Sequence, residues 1–395
     1  MSLMIEYIGK LQKEGVPGLE SELLTLIARY NQIRDKYLFI YVAAIGKPIP
    51  MLGLDQSDYY IFHDMLAKNK GVVNDIDIYL ETPGGSGEAA EEIVKFLHDN
   101  FRPVSFIVSG EAKSAGTLMV LSGDEILMTE TGSLGPIDAQ IHIGRSTISA
   151  YDYIEWVDEK RKEAESQGRL NPFDAVMVAQ ITPGELGSVL HSLKFAEDLV
   201  TQWLVKYKFK NWTQTETQKI PVTEDMKADT AKKISDQLIN HSKWRSHGRS
   251  IKMNDLEEIG LKIKHVQDNP KLADIVYRIQ AVCRMIFESS LTYKIFATQD
   301  EKIFKQAAMA TMPMQIPQKA AANVVQIQQQ CPKCNKVHSL YGKFEENPIV
   351  DQELKKKGFI PFPKDAKLKC DCGFEIDLLG IKNQIEIQAG KKIID

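Results

Sequence analysis

Apolar and polar positions change period several times along the chain, and each change marks an element. "LESELLTLIARYNQIRDKY", Leu19 to Tyr37, carries apolar residues at helical spacing, and "LFIYVAAI", Leu38 to Ile45, is a short apolar run that predicts a buried strand. "SDYYIFHDMLAKNKG" has the spacing of an amphipathic helix, with Ser57 as its expected cap and Gly71 where it is expected to stop. In "DIDIYLETPGG", Ile76, Ile78 and Leu80 alternate with Asp77 and Tyr79, which predicts a strand ending in Pro-Gly-Gly. "GEAAEEIVKFLHDN" then predicts a helix, "PVSFIVSG" a strand, "SAGTLMVLSG" a helix, and "DEILMTETGSLGP" a short strand with a turn.

Strand and helix therefore alternate from about residue 38 to 130, through connections too long for hairpins. That pattern implies parallel strands joined by right-handed crossovers, hence an α/β fold of βαβ units. From Tyr151 to about Lys305 the pattern is mostly helical, with a Lys-rich interval near residues 206 to 233 that reads as a loop or a helical arm. "MATMPMQIPQKAAANVVQIQQQ" has weak periodicity and mixed Ala, Gln, Met and Pro, as expected of a linker. The expected organisation is an α/β domain with a helical extension over 1–306, a linker over 307–330 and a small Cys-bearing domain over 331–395.

Composition narrows the class. With 43% hydrophobic residues, 26% charged residues and a net charge of -4, the chain has the make-up of a globular protein. There is no basic excess that would call for nucleic acid or an acidic membrane. The sequence holds no uninterrupted apolar stretch of about 18 residues and opens without the pattern of an export signal, so the expected location is the cytoplasm. Four of the five cysteines fall in close pairs near the C-terminus, a pattern of metal ligation in a reducing compartment.

Ser114, in "GEAKSAGTLMVLSG", follows a predicted strand and opens a helix whose first turn is Ala115, Gly116 and Thr117. A hydroxyl there faces the carboxyl edge of a parallel sheet, where ligands of such sheets bind. The plain alternative is an N-cap serine. "TPGGSG", Thr82 to Gly87, ends the strand one βα unit earlier. Amides of Gly85 and Ala115 could together make an oxyanion hole beside Ser114, each donor worth ~3 kcal/mol at the transition state. The competing reading is a helix-start turn whose glycines serve close packing. A phosphate cradle is not indicated, since neither G-x-G-x-x-G nor a P-loop is present.

"ETPGGSGEAAEEIVKFL", "GEAKSAGTLMVLSGDEI" and "TGSLGPIDAQ" in this order resemble the ClpP/crotonase superfamily, and most of all the serine dehydrogenase proteinases, relatives of the SppA signal peptide peptidases. "SHGRSIKMNDLEEIGLKI" is similar to the segment near the end of that core, so the resemblance covers roughly Tyr37 to Ile263. It implies a ClpP/crotonase-like fold, with Ser114 as nucleophile and Gly84 or Gly85 with Ala115 as the oxyanion hole. It also implies peptide substrates and a homo-oligomer that restricts access. The positions matching the ClpP base and its orienting carboxylate read Asp138 and approximately His247, the two types exchanged. A triad of Ser114, His247 and Asp138 would supply hydroxyl, base and carboxylate. SppA-type enzymes use a lysine, for which this chain offers Lys160 and Lys162. A catalytic lysine must be buried to be neutral, whereas "VDEKRKEAESQ" reads as a solvated face, so His247 is favoured. His142 and His191 read as partly buried structural histidines, and Lys113 as a partner for substrate or a carboxylate.

Cys331 and Cys334 in "CPKCNK" form a knuckle in which Asn335 is expected to take the left-handed conformation, and Cys370 and Cys372 follow in "KCDCGF". Four thiolates would close a structural Zn²⁺ site, with His338 as a substitute for one cysteine, giving a C-terminal zinc ribbon. Such ribbons bind proteins, nucleic acids or nothing; the lysines of "ELKKKG" read as a solvated face, so a protein partner is the expectation over nucleic acid. Cys283 reads as a buried helix residue. The reading that joins these features is a serine peptidase, and its rivals are a crotonase-type acyl-CoA enzyme and a non-catalytic adaptor that docks through the ribbon.

Overall fold

The computed structural model describes residues 3–49, 51–137, 139–143, 146–215, 219–244, 246, 248–307, 324–346, 348–389 and 391–394. The chain divides into two compact units, Met1–Met309 and Ala310–Asp395.

In the first unit α1 (Leu3–Arg34) leads into β1 (Tyr37–Ala43), α2 (Gln56–Ala67), β2 (Ile76–Glu81), α3 (Gly87–Asn100), β3 (Val104–Val108), β4 (Glu111–Ala112), α4 (Ala115–Leu121) and β5 (Glu125–Met128). Then come β6 (Ser133–Leu134), the hairpin of β7 (Gln140–Ile143) and β8 (Ser146–Ser149), and the helices α5 (Ala150–Gln167), α6 (Pro172–Val178), α7 (Pro183–Trp203), α8 (Glu224–Ile239), α9 (His241–Trp244) and α10 (Met253–Glu258). β9 (Lys264–His265), α11 (Pro270–Ser289), β10 (Thr292–Ala297) and β11 (Lys302–Gln306) complete the unit.

The main sheet has the order β11-β10-β1-β2-β3-β5-β9. β1, β2, β3, β5 and β9 run parallel, as the alternation of elements predicts, and β10 and β11 join antiparallel at one edge. Successive residues of each strand serve opposite layers. Phe39, Tyr41, Ile78 and Phe106 pack against α2, α3, α4, α7 and α8. Leu38, Ile40, Tyr79 and Ile107 pack against α1 and α11. Coverage of both faces is why β1 and β3 read as nearly unbroken apolar runs.

Two local expectations are corrected. The helix at α2 is capped by Asp55 and not by Ser57: the Asp55 carboxylate accepts from the amides of Ser57 and Asp58, and the Asp58 carboxylate accepts in return from the Asp55 amide. A carboxylate that can take two amides outcompetes one hydroxyl. The stretch up to Lys305 is also not helical to its end. "TYKIFATQDEKIFKQ" forms the β10–β11 hairpin around a turn in which the Thr298 amide donates to the Glu301 carbonyl at 2.8 Å.

In the second unit β12 (Val324–Gln330) and β13 (Val337–Lys343) form an antiparallel hairpin, followed by α12 (Pro348–Lys356), β14 (Ile360–Pro361), the hairpin of β15 (Lys367–Lys369) and β16 (Glu375–Asp377), and α13 (Leu379–Ala389). β12 occupies the last residues of the stretch that reads as linker. Each hairpin carries one cysteine pair at its tip.

Candidate functional site

β2 and β4 end side by side, and this places the two sequence motifs in contact. The Thr82 amide donates to the Glu111 carbonyl at 2.8 Å, and the Lys113 amide donates to the Thr82 carbonyl at 3.0 Å. Past this junction the chain turns sharply into α4. Ser114 sits in the turn with φ 49 and ψ -115, a conformation that costs a non-glycine residue about 1–3 kcal/mol. Its side chain makes no capping bond to α4, so the N-cap reading of Ser114 does not hold. The hydroxyl instead lines a cleft of about 970 Å³.

The Pro-Gly-Gly turn closes against the serine. Gly84 has φ 107, and a Cβ added there would lie 2.7 Å from Ser114 Cβ and 3.3 Å from its Oγ. Gly85 has φ 141, and a Cβ on it would lie 2.3 Å from the Leu54 carbonyl oxygen. The Leu54 amide donates to the Gly84 carbonyl at 2.6 Å and the Ser86 amide to the Leu54 carbonyl at 2.9 Å, so the residues flanking Gly85 are the ones tied to Leu54. Alternation along an extended segment turns the Gly85 N–H away from Leu54. Ala115 opens α4, where the first amides have no acceptor within the helix. Among the described residues neither amide has an acceptor.

The cleft runs between this pair of turns and α7. Gly85, Ser114, Ala115, Ile137, His191 and Phe195 are among its lining residues. Phe195 touches the start of α3: a Cβ on Gly87 would stand 3.1 Å from its ring. His191 is exposed on the cleft wall, which corrects its reading as a partly buried structural histidine. The sequence offered little to find it, because the cleft face of α7 is set by how the helix docks and not by its own periodicity. His142 lies on β7, paired with Thr147.

Of the candidate bases, His247 and Asp138 lie outside the described residues. Their neighbours are described: the Ile137 amide donates to the Leu238 carbonyl, and Ile251 and Leu134 exchange two backbone bonds of 2.9 and 3.0 Å. Lys160 pairs with Asp174 at 2.7 Å and Glu163 at 3.1 Å, and these bonds push its ammonium above the ordinary lysine value. That is the reverse of what a neutral base needs, and Lys162 is exposed. Among the described residues Lys113 has no carboxylate within bonding distance. It is buried, and its Nζ donates to the Leu134 carbonyl at 3.1 Å, the Arg249 carbonyl at 3.1 Å and Ser250 Oγ at 3.0 Å.

In the second unit the Sγ atoms of Cys331, Cys334, Cys370 and Cys372 lie within 4.8 Å of one another and could hold a metal ion. Cys331 and Cys372 are 3.6 Å apart, Cys334 and Cys370 3.5 Å. Sulfurs ~2.3 Å from a common tetrahedral centre stand about 3.8 Å apart, so the donor set fits such an ion. Asn335 has φ 60, the left-handed conformation its place after the first knuckle demands. Burial acts to raise the Cys331 thiol, but the amides of Cys334 and Lys333 and the neighbouring thiols bring it down to about 7. His338 Nε2 stands 3.2 Å from Cys370 Sγ, beside the four cysteines and not in place of one. Cys283 is buried in α11, and burial raises its thiol well above the ordinary range, as an inert helix residue should behave.

Residues 52–169 match the family described as ClpP-like SDH-type serine proteinase. The segment that bears Ser114 is similar to that family. The matched segment contains both turns of the cleft and ends before α7. The chain is also similar to two uncharacterized proteins of Methanocaldococcus jannaschii. One is 36% identical over 78 residues, 19% of this chain and 27% of that protein. The other is 42% identical over 66 residues, 17% of this chain and 23% of that protein. The chain thus matches about a quarter of the length of these curated relatives. A solved structure, a serine-to-alanine mutant of a membrane-bound stomatin-specific protease, matches 30% of this chain and 61% of that one at 24% identity and a TM-score of 0.23. No helix among the described residues is long and apolar enough to cross a membrane.

Proposed function

We propose that the chain is a serine peptidase acting through an acyl-enzyme on Ser114. The observation that carries this reading is the strained Ser114 turn: a hydroxyl that does not cap its helix, on a cleft, beside two amides without acceptors among the described residues. Ser114 Oγ attacks a peptide carbonyl carbon while its proton passes to the base. The N–H groups of Gly85 and Ala115 hold the oxygen as it becomes negative. Collapse of the tetrahedral intermediate breaks the C–N bond, and the base returns the proton to the departing amine. Water then repeats the sequence on the ester and frees Ser114.

His247, oriented by Asp138, is the proposed base. The anchoring of Arg249 and Ser250 on Lys113, next to Ser114 in the chain, supports this assignment, as does the place of Ile137 on the cleft. The four cysteines are proposed to hold a structural Zn²⁺, which with four thiolates has no open position for chemistry. Polypeptide substrates and a homo-oligomeric assembly belong to the same proposal, supported by the similarity of residues 52–169 to ClpP-like serine proteinases. An acyl-CoA enzyme or an inert adaptor gives the strain at Ser114 no use.

Exposure to an aryl fluorophosphonate tests the reading. Covalent labelling of the full chain at Ser114, and its loss in Ser114→Ala, is the expected result. An unlabelled wild-type chain, or equal labelling of Ser114→Ala, would overturn it.

A further inference from the structure

Lys113 is only 6% exposed, yet it has no carboxylate partner among the described residues. Its Nζ contacts are the carbonyls of Leu134 and Arg249 at 3.1 Å each, Ser250 Oγ at 3.0 Å and, more distantly, Ser133 Oγ at 3.5 Å. Burial lowers its pKa, Glu111 acts against that shift and Lys252 adds to it. An ammonium has three protons to donate, and two carbonyls with a hydroxyl use all three. A neutral amine would still donate to both carbonyls and accept from the Ser250 hydroxyl, so these contacts hold the side chain at three points in either protonation state. The main chain of the same residue is fixed as well: its amide donates to Thr82 at 3.0 Å and its carbonyl accepts from Gly116 at 2.8 Å. Gly135 closes over the lysine stem, where a Cβ would stand 2.8 Å from Lys113 Cδ.

A strained residue persists only where its surroundings over-determine it. We propose that Lys113 is a positioning residue: its side-chain nitrogen ties the turn holding Ser114 to β6 and to the backbone at 249–250, and so keeps the hydroxyl aligned for attack. This rests on the reading of Ser114 as nucleophile. Both the strained turn and the segment that bears the proposed base depend on one side chain, which explains why a lysine is buried where an apolar residue would be cheaper.

The test compares wild-type, Lys113→Met, Lys113→Arg, Ser250→Ala and Ser114→Ala full-length chains. An aryl fluorophosphonate is titrated, and the maximal labelling rate, the half-saturating concentration and the final labelled fraction are read separately. Lys113→Met is expected to lower the maximal rate about tenfold or more, with half-saturation and labelled fraction unchanged. Lys113→Arg does not restore it, because the wider guanidinium cannot use the path beneath Gly135. Ser250→Ala, at a half-exposed position, lowers the rate by a smaller factor, about threefold. A wild-type rate in Lys113→Met, or a loss seen only as a smaller labelled fraction, overturns the positioning role. If Lys113→Met does not fold, an unchanged rate in Ser250→Ala overturns it. Failure of the wild-type chain to label at Ser114 overturns the nucleophile itself, a separate result.

Discussion

Gly84 and Ser114 meet so closely that a methyl group on the glycine would stand 2.7 Å from the serine Cβ. The two residues come from consecutive crossover units, and the contact brings an amide-rich turn to the hydroxyl. Gly84→Ala must therefore push the serine aside while adopting φ 107, which alanine resists. We expect this variant to lose about 1–3 kcal/mol of stability and to label with fluorophosphonate about 100-fold more slowly. Denaturant unfolding and labelling kinetics measure the two effects. A wild-type labelling rate would show that the turn does not serve the serine.

Strain at Ser114 predicts a trade of stability for function. Glycine accepts φ 49 and ψ -115 without a Cβ penalty, although it costs more backbone entropy. Ser114→Gly is expected to raise the unfolding free energy by about 1 kcal/mol and to abolish labelling. A destabilised Ser114→Gly chain would mean that the turn is held by contacts of the hydroxyl.

His98 gives a pH dependence with a definite sign. It is buried between α3 and the ring of Tyr207, stacked at 3.5 Å, and its Nε2–H donates to the Ser122 carbonyl at 2.9 Å. Burial pushes its pKa down to about 4, with Asp124 and the Ser122 carbonyl acting against that shift. The folded chain thus binds fewer protons at this site than the unfolded chain, whose imidazole titrates near ~6.5. Stability is present above that value and is lost as pH falls toward 4, by about 3 kcal/mol in total. Replacing the ring in His98→Gln should flatten the fall in melting temperature across that window, measured against wild type.

The cysteine cluster predicts that metal and local fold go together. The full chain should contain about one zinc per molecule by elemental analysis, and Cys370→Ser should lose it. Chelation should remove hydrogen-exchange protection from the hairpin of β12 and β13, while β1 to β3 keep theirs. Protection unchanged by chelation would mean that the hydrophobic contacts of Leu340, Leu368 and Ile376 suffice without the ion.

The amino-acid order alone was enough for β1 and β3, because strands covered on both faces are apolar nearly throughout, for β2 by its alternation, and for the helices between them by their single apolar stripe. The cysteine spacings were equally legible, since a knuckle is a local turn with fixed demands on its residues. The Pro-Gly-Gly turn and Ser114 could be picked out as a pair, but not their contact, nor the strain that removes the capping explanation. The β10–β11 hairpin was overlooked within a helical stretch, although "TYKIFATQDEKIFKQ" carries two strand-like runs about a polar turn. The bonds of Lys113 went unforeseen, and His191 was misread, for a different reason. Their surroundings come from residues far away in the chain, Arg249 and Ser250 for one and the α7 wall of the cleft for the other. Periodicity determines which face of an element is buried; the docking of elements against one another decides which polar groups that burial brings together.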